Sequence, residues 1–167
     1  MTQRVRTVHH LDDEPEFVKW IPQFLRDRIY LTHRSWSVSE VVPGDHTATF
    51  EISGPEGGTR VDYRIYTTLD AFLTDFVPAA AKDDFVFLDA MIDDQGQELL
   101  PEGAKAYPVA AEHVGEDRAW FVTAFPFELL NLGGKVRRDR ILTKPVDGTA
   151  LANRLMQWLG IGEGGPR

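Results

Sequence analysis

The sequence predicts an α/β fold built on parallel strands, with an antiparallel β segment set into it. Three observations carry this. Short apolar runs, Val8-His9-His10-Leu11, Phe85-Val86-Phe87-Leu88, Ala119-Trp120-Phe121-Val122 and Ile141-Leu142-Thr143, are separated by segments of helical periodicity. Such runs read as strands buried on both faces of a parallel sheet. Each run is closed by a chemically active residue: Asp12-Asp13, Asp89, Thr123 and Lys144-Pro145. Residues 36–66 instead alternate apolar with polar, the period of antiparallel strands. In an open α/β sheet the residues just past the strand carboxyl ends share one crevice. That crevice would gather three carboxylates, a hydroxyl and an ammonium, a set suited to a divalent cation and a phosphoryl group.

In chain order, residues 5–11 make the first strand. Asp13-Glu14-Pro15-Glu16 opens a helix, with an acidic cap, proline in the first turn and carboxylates at the positive end of the dipole. Phe17, Trp20, Ile21, Phe24 and Leu25 recur at helical spacing and are expected on its buried face. Pro22 predicts a kink or an early end. Trp36–Val42, Thr47–Ile52 and Arg60–Tyr66 read as a β meander, because Pro43-Gly44-Asp45 and Gly54-Pro55-Glu56-Gly57-Gly58 are strong turn signals. Its last strand is placed to enter the main sheet.

Leu69, Phe72, Leu73 and Phe76 give a short helix ending near Pro78. The strand 85–88 leads through Asp89 to an acidic loop, Asp93-Asp94-Gln95-Gly96. Pro101 and Pro108 predict an irregular helix after it. The strand 119–122 precedes a short segment, Phe127-Glu128-Leu129-Leu130, that ends at Gly133-Gly134. The strand 140–143 is followed by a helix starting near Asp147 or Thr149. That helix is expected to turn Leu151, Leu155, Trp158 and Leu159 inward and to stop at Gly160. Residues 162–167 are expected to be a disordered tail.

The 167 residues are enough for one domain with a full core, and 43% hydrophobic with 26% charged residues is ordinary for a globular chain. A formal net charge of -8 argues against nucleic-acid binding as the main role. The absence of cysteine excludes disulfides, thiolate metal sites and cysteine nucleophiles. No apolar stretch has the length of a membrane span, and Met1-Thr2-Gln3-Arg4 lacks a signal-peptide core, so a cytoplasmic protein is expected.

Taken together, these motifs resemble the receiver domain of two-component response regulators. Leu11-Asp12-Asp13-Glu14-Pro15-Glu16-Phe17 resembles its acidic motif, and Phe87-Leu88-Asp89-Ala90-Met91 its phosphoacceptor segment. Val122-Thr123-Ala124 and Leu142-Thr143-Lys144-Pro145 match the two remaining signatures. The resemblance covers residues 5–29 and 62–160 and misses most of the meander. It implies a doubly wound five-stranded parallel sheet of flavodoxin-like order 2-1-3-4-5, with a β insertion at about 30–61 between the first helix and the second strand. It also implies that Asp13, Asp89 and the Met91 carbonyl bind Mg²⁺, with Asp12 acting through water. Asp89 would take a phosphoryl group from a histidine kinase or histidine phosphotransfer protein, with self-catalysed phosphorylation and dephosphorylation. Lys144 would offset phosphoryl charge, Thr123 would hydrogen-bond the bound group, and Ala124 would keep the approach open. Lys144-Pro145 resembles a bond often cis in the family.

Three positions depart from that pattern. Ile141 stands where an aromatic switch residue is usual. The loop after Asp89 lacks the usual proline, carrying Asp93, and its glycine comes one residue early. The meander is added, and since it leaves from the amino-end side of the sheet it is expected to be a partner surface or accessory sheet rather than a lid.

With the chain ending soon after its last helix, the expected function is a stand-alone phosphorylation switch. It would signal through a downstream protein partner or a homodimer, using the surface of the fourth helix, fifth strand and fifth helix. The alternative is a pseudo-receiver, a binding module independent of phosphorylation. A haloacid-dehalogenase-type enzyme needs a second aspartate two residues after the nucleophile, where this chain has Met91. Taken singly, Asp12-Asp13-Glu14 is also an ordinary helix start and Lys144 an ordinary solvated lysine. His9 and His10 are unusual in a strand that should be apolar, and as a lone pair they lack ligand spacing.

Overall fold

The computed structural model describes residues 3–55, 57–93, 99–126, 129 and 136–162. The element order is β1 (Arg4–Leu11), α1 (Phe17–Thr32), β2 (Ser37–Val38), β3 (Val42–Pro43), β4 (Thr47–Gly54), β5 (Gly57–Tyr66) and α2 (Leu69–Ala79). Then come β6 (Phe85–Leu88), β7 (Ile92–Asp93), β8 (Leu99–Leu100), α3 (Glu102–Val114), β9 (Ala119–Thr123), β10 (Ile141–Thr143) and α4 (Gly148–Leu159).

The main sheet runs β10-β9-β6-β1-β5-β4-β2, with β3 also paired to β4. The four ladders linking β10, β9, β6, β1 and β5 are parallel, whereas β4 joins β5 antiparallel, as β2 and β3 join β4. The meander is therefore no separate sheet. It prolongs the main one, because β5 pairs with β1 along one edge and with β4 along the other.

Alternation along the central strands divides the core in two. Val8, Phe85, Phe87, Trp120 and Val122 pack against α1 and α4. Leu11, Val86, Leu88, Ala119 and Phe121 pack against α2 and α3. All these side chains are at most 3% exposed, so the sheet is covered on both faces. Each large one contributes about 1.5–3 kcal/mol relative to exposure.

Helix α1 corrects the sequence reading at two points. Its buried stripe is Phe17, Val18, Ile21, Pro22, Leu25 and Ile29, while Trp20 and Phe24 are 37% and 39% exposed. The stripe follows the row that meets the sheet, which leaves Trp20 and Phe24 on its flank. Trp20 packs on Phe17, with ring centroids 5.2 Å apart, and Phe24 lies against Gly148. Nor does Pro22 end the helix, which continues to Thr32. The ring is buried in the core-facing stripe, so packing offsets the one hydrogen bond its missing N–H forfeits.

Helix α3 likewise runs continuously through Pro108, with Pro101 just before its first turn. In α4, Leu151, Ala152, Leu155 and Met156 are buried, while Trp158 and Leu159 are only partly so. Asp147 caps α4 by accepting from the Thr149 and Ala150 amides at 2.9 and 3.4 Å, and left-handed Gly160 closes it. The expected segment 127–130 apart from Leu129, most of the acidic loop and all but one residue of the expected tail lie outside the described residues.

Candidate functional site

Register brings the active residues together. Leu11 is level with Leu88, and Thr123 with Thr143, so the next residues emerge side by side along one edge of the sheet. The ladder continues one step past the strands. The Asp12 amide donates to the Tyr66 carbonyl, Asp89 to Leu11 and Lys144 to Thr123, at 2.9, 2.8 and 2.9 Å. The backbones that carry the site are thus fixed by sheet hydrogen bonds rather than left on loops.

Lys144 is the hub. Its Nζ lies 2.8 Å from Asp12 Oδ2, 2.7 Å from Asp89 Oδ2 and 3.2 Å from Glu14 Oε1. Asp12 is fully buried and Asp89 nearly so. Asp13 Oδ2 accepts from the Asp93 amide at 2.7 Å, and Asp89 Oδ1 from the Met91 amide at 3.3 Å. Thr123, also buried, accepts from the Phe125 amide through its hydroxyl at 3.1 Å, and the same hydroxyl acts to lower the pKa of Asp89. The Lys144–Pro145 peptide is cis. Asp12, Asp13, Asp89, Thr123 and Lys144 therefore share one crevice, and Met91 borders it through its amide.

The electrostatics differ between the two buried carboxylates. Burial pushes the pKa of Asp89 above its ordinary value, and Lys144 opposes this only in part. Burial is also the largest single influence on Asp12, but the close approach of His10 and Lys144 together outweighs it, so its pKa falls. The lysine itself is desolvated, yet Asp12 and Asp89 raise its pKa well above that of a free lysine.

The donor set fits a hard cation. Oxygens of Asp12, Asp13 and Asp89 lie within 4.8 Å of one another, close enough to share one ion. Among the described residues, Asp12, Asp13, Asp89 and Glu14 gather around one ammonium, that of Lys144, so their negative charge exceeds its positive charge. Asp12 Oδ2 is buried and, despite its near neighbours, has no well-directed hydrogen bond. Oxygen-only ligands of this kind suit hard divalent cations.

Glu14, the Asp93 amide and Gly103 belong to the site although the sequence does not single them out as its parts. A Cβ on Gly103 would fall 1.5 Å from the Asp89 carbonyl oxygen, so only glycine lets the first turn of α3 approach so closely. Cavities also lie elsewhere. One of about 740 Å³, lined by His46, Arg60, Arg64 and Asp75 among others, sits between β5 and α2. Chemistry rather than volume marks the candidate site. No protein-family model, curated protein or solved structure matches this chain.

Proposed function

We propose that this chain is a receiver-like phosphorylation switch centred on Asp89, on a sheet whose five parallel strands follow the flavodoxin-like order 2-1-3-4-5. One observation carries the reading. A largely buried lysine at the end of β10 spans two buried aspartates at 2.7 and 2.8 Å, at the carboxyl ends of the neighbouring parallel strands β6 and β1, with a threonine on the intervening β9. This arrangement can hold a nucleophilic carboxylate and the charge of a phosphoryl group at one place.

An Asp89 carboxylate oxygen attacks the phosphorus of a phosphohistidine on a kinase or phosphotransfer protein. The new O–P bond makes an acyl phosphate, the P–N bond breaks, and the departing imidazole takes up a proton from solvent. Asp13, Asp89 and the Met91 carbonyl would hold Mg²⁺, with Asp12 behind them. When bound, the ion would neutralise charge on the phosphoryl oxygens. Lys144 is placed to leave Asp89 and pair with the incoming anion, and the Thr123 hydroxyl to hydrogen-bond it.

Incubation with acetyl phosphate and Mg²⁺ is the direct test. Intact mass is expected to show one added phosphoryl group, absent from Asp89→Asn and lost on adding a chelator beforehand. No addition from acetyl phosphate or from any phosphohistidine donor would reject the reading. The pseudo-receiver alternative draws on Ile141, a branched aliphatic packed against the α2–α3 side of the core, which has no ring to rotate on phosphorylation. A partner bound equally by wild type and Asp89→Ala would select it.

A further inference from the structure

A buried polar chain lies behind the carboxylates. His10 has no exposed surface and is enclosed by the rings of Phe17, Tyr63 and Phe87, with centroids 5.2, 6.0 and 5.7 Å away. Its Nδ1 is 2.5 Å from the Tyr63 hydroxyl and its Nε2 is 3.3 Å from Asp12 Oδ2. Among the described residues only three buried side-chain polar atoms lack a well-directed hydrogen bond, and two of them are His10 Nε2 and Asp12 Oδ2, which face each other.

The Tyr63 hydroxyl settles the direction of this chain. Complete burial drives the phenol pKa well above 10, so the group keeps its proton and acts as a donor. A ring nitrogen that accepts from the phenol leaves the imidazole hydrogen on the other nitrogen. The hydrogen is therefore on Nε2, the nitrogen on the Asp12 side, 3.3 Å from Oδ2. On its other oxygen, Asp12 Oδ1 accepts from the Glu14 amide at 2.9 Å, so both oxygens have a neighbour that limits their rotation.

We propose that His10, oriented by Tyr63, is a positioning residue that sets the Asp12 carboxylate for cation binding. This rests on the reading of the site given above. Residues that hydrogen-bond metal-site carboxylates from behind typically change affinity by about 10–100-fold when removed. The chain also joins the site to β5, because Tyr63 sits diagonally across the β1–β5 ladder from His10, level with Val8.

The test titrates MgCl₂ alone into wild type, His10→Leu, His10→Gln and Tyr63→Phe by calorimetry, with denaturant unfolding run in parallel to confirm that each variant is folded. His10→Leu is expected to weaken Mg²⁺ by about 10–100-fold and Tyr63→Phe by about 10-fold. In His10→Gln the amide nitrogen can stand where Nε2 stood, and most of the affinity should return. Unchanged affinity in His10→Leu and Tyr63→Phe would overturn the proposal, as would a glutamine variant no better than the leucine one. Should the leucine variant fail to fold, Tyr63→Phe and His10→Gln decide the matter between them. Failure of wild type itself to bind Mg²⁺ would instead bring down the metal reading, and this inference with it.

Discussion

Burial lifts the pKa of Asp89 above its ordinary value of 3.8, so the folded chain favours its protonated form. The stability linked to that preference is full below the unfolded pKa and is lost as pH rises through the folded one. At neutral pH the ionised Asp89 thus weighs against folding. Asp89→Asn, which mimics the protonated acid, is expected to raise the thermal midpoint at pH 7 by about 2–4 °C, on the order of 1 kcal/mol. In paired melts of variant and wild type, that advantage should fade as pH falls through the raised folded value and be gone below 3.8. Asp12 has the opposite sign. Its depressed pKa contributes stability above 3.8 that is lost as pH falls through the folded value, so Asp12→Asn should lower the midpoint at pH 7. Equal, same-direction shifts in the two variants would contradict this division. These roles were half legible in the sequence. Asp12, Asp13, Asp89, Thr123 and Lys144 announce themselves by closing apolar runs. What sets them apart, His10 beside one carboxylate and desolvation that outweighs Lys144 at the other, depends on side chains that only the sheet brings together.

At the level of elements, Gly103 shows how closely helix and site are joined. Gly103→Ala would place a methyl group inside the Asp89 carbonyl, so α3 or the end of β6 must shift. Overpacking of this kind costs about 1–3 kcal/mol. Denaturant unfolding should show that loss, and acetyl-phosphate labelling of Asp89 should slow, because the nucleophile's own backbone has moved. Unchanged labelling in a destabilised variant would confine Gly103 to a packing role. Most strands and turns were readable here because period-two alternation and Pro-Gly clusters are local signals, although the expected strand 36–42 forms only as Ser37–Val38 and Val42–Pro43. The burial pattern of α1 was not, since Trp20 and Phe24 fit helical spacing as well as Val18 and Ile29 do. Which row faces inward is set by where the sheet lies, and Pro22 survives for the same reason.

Across the whole molecule, site and stability are linked through the cation. Any ion bound only by the folded state adds RT ln(1 + [L]/Kd), about 2.7 kcal/mol at a hundredfold excess over Kd. Thermal melts in rising Mg²⁺ are expected to shift upward in wild type and to stay flat in Asp13→Asn. A shift of equal size in that variant would place the ion elsewhere. Among the described residues no helix is long and apolar enough to cross a membrane. The order of events in folding follows from the way β4 and β5 are joined. Their ladder runs from Gly54 opposite Gly57 out to Thr47 opposite Arg64, whereas β1 meets β5 with Arg4 opposite Thr59. Closing a short loop is entropically cheaper and faster than closing one of some fifty residues. Pulse-labelled hydrogen exchange should find amides that bridge β4 and β5 protected before those that bridge β5 and β1. The added residues would then deliver a parallel strand as half of a ribbon already formed, so that the slow pairing step begins with one edge complete.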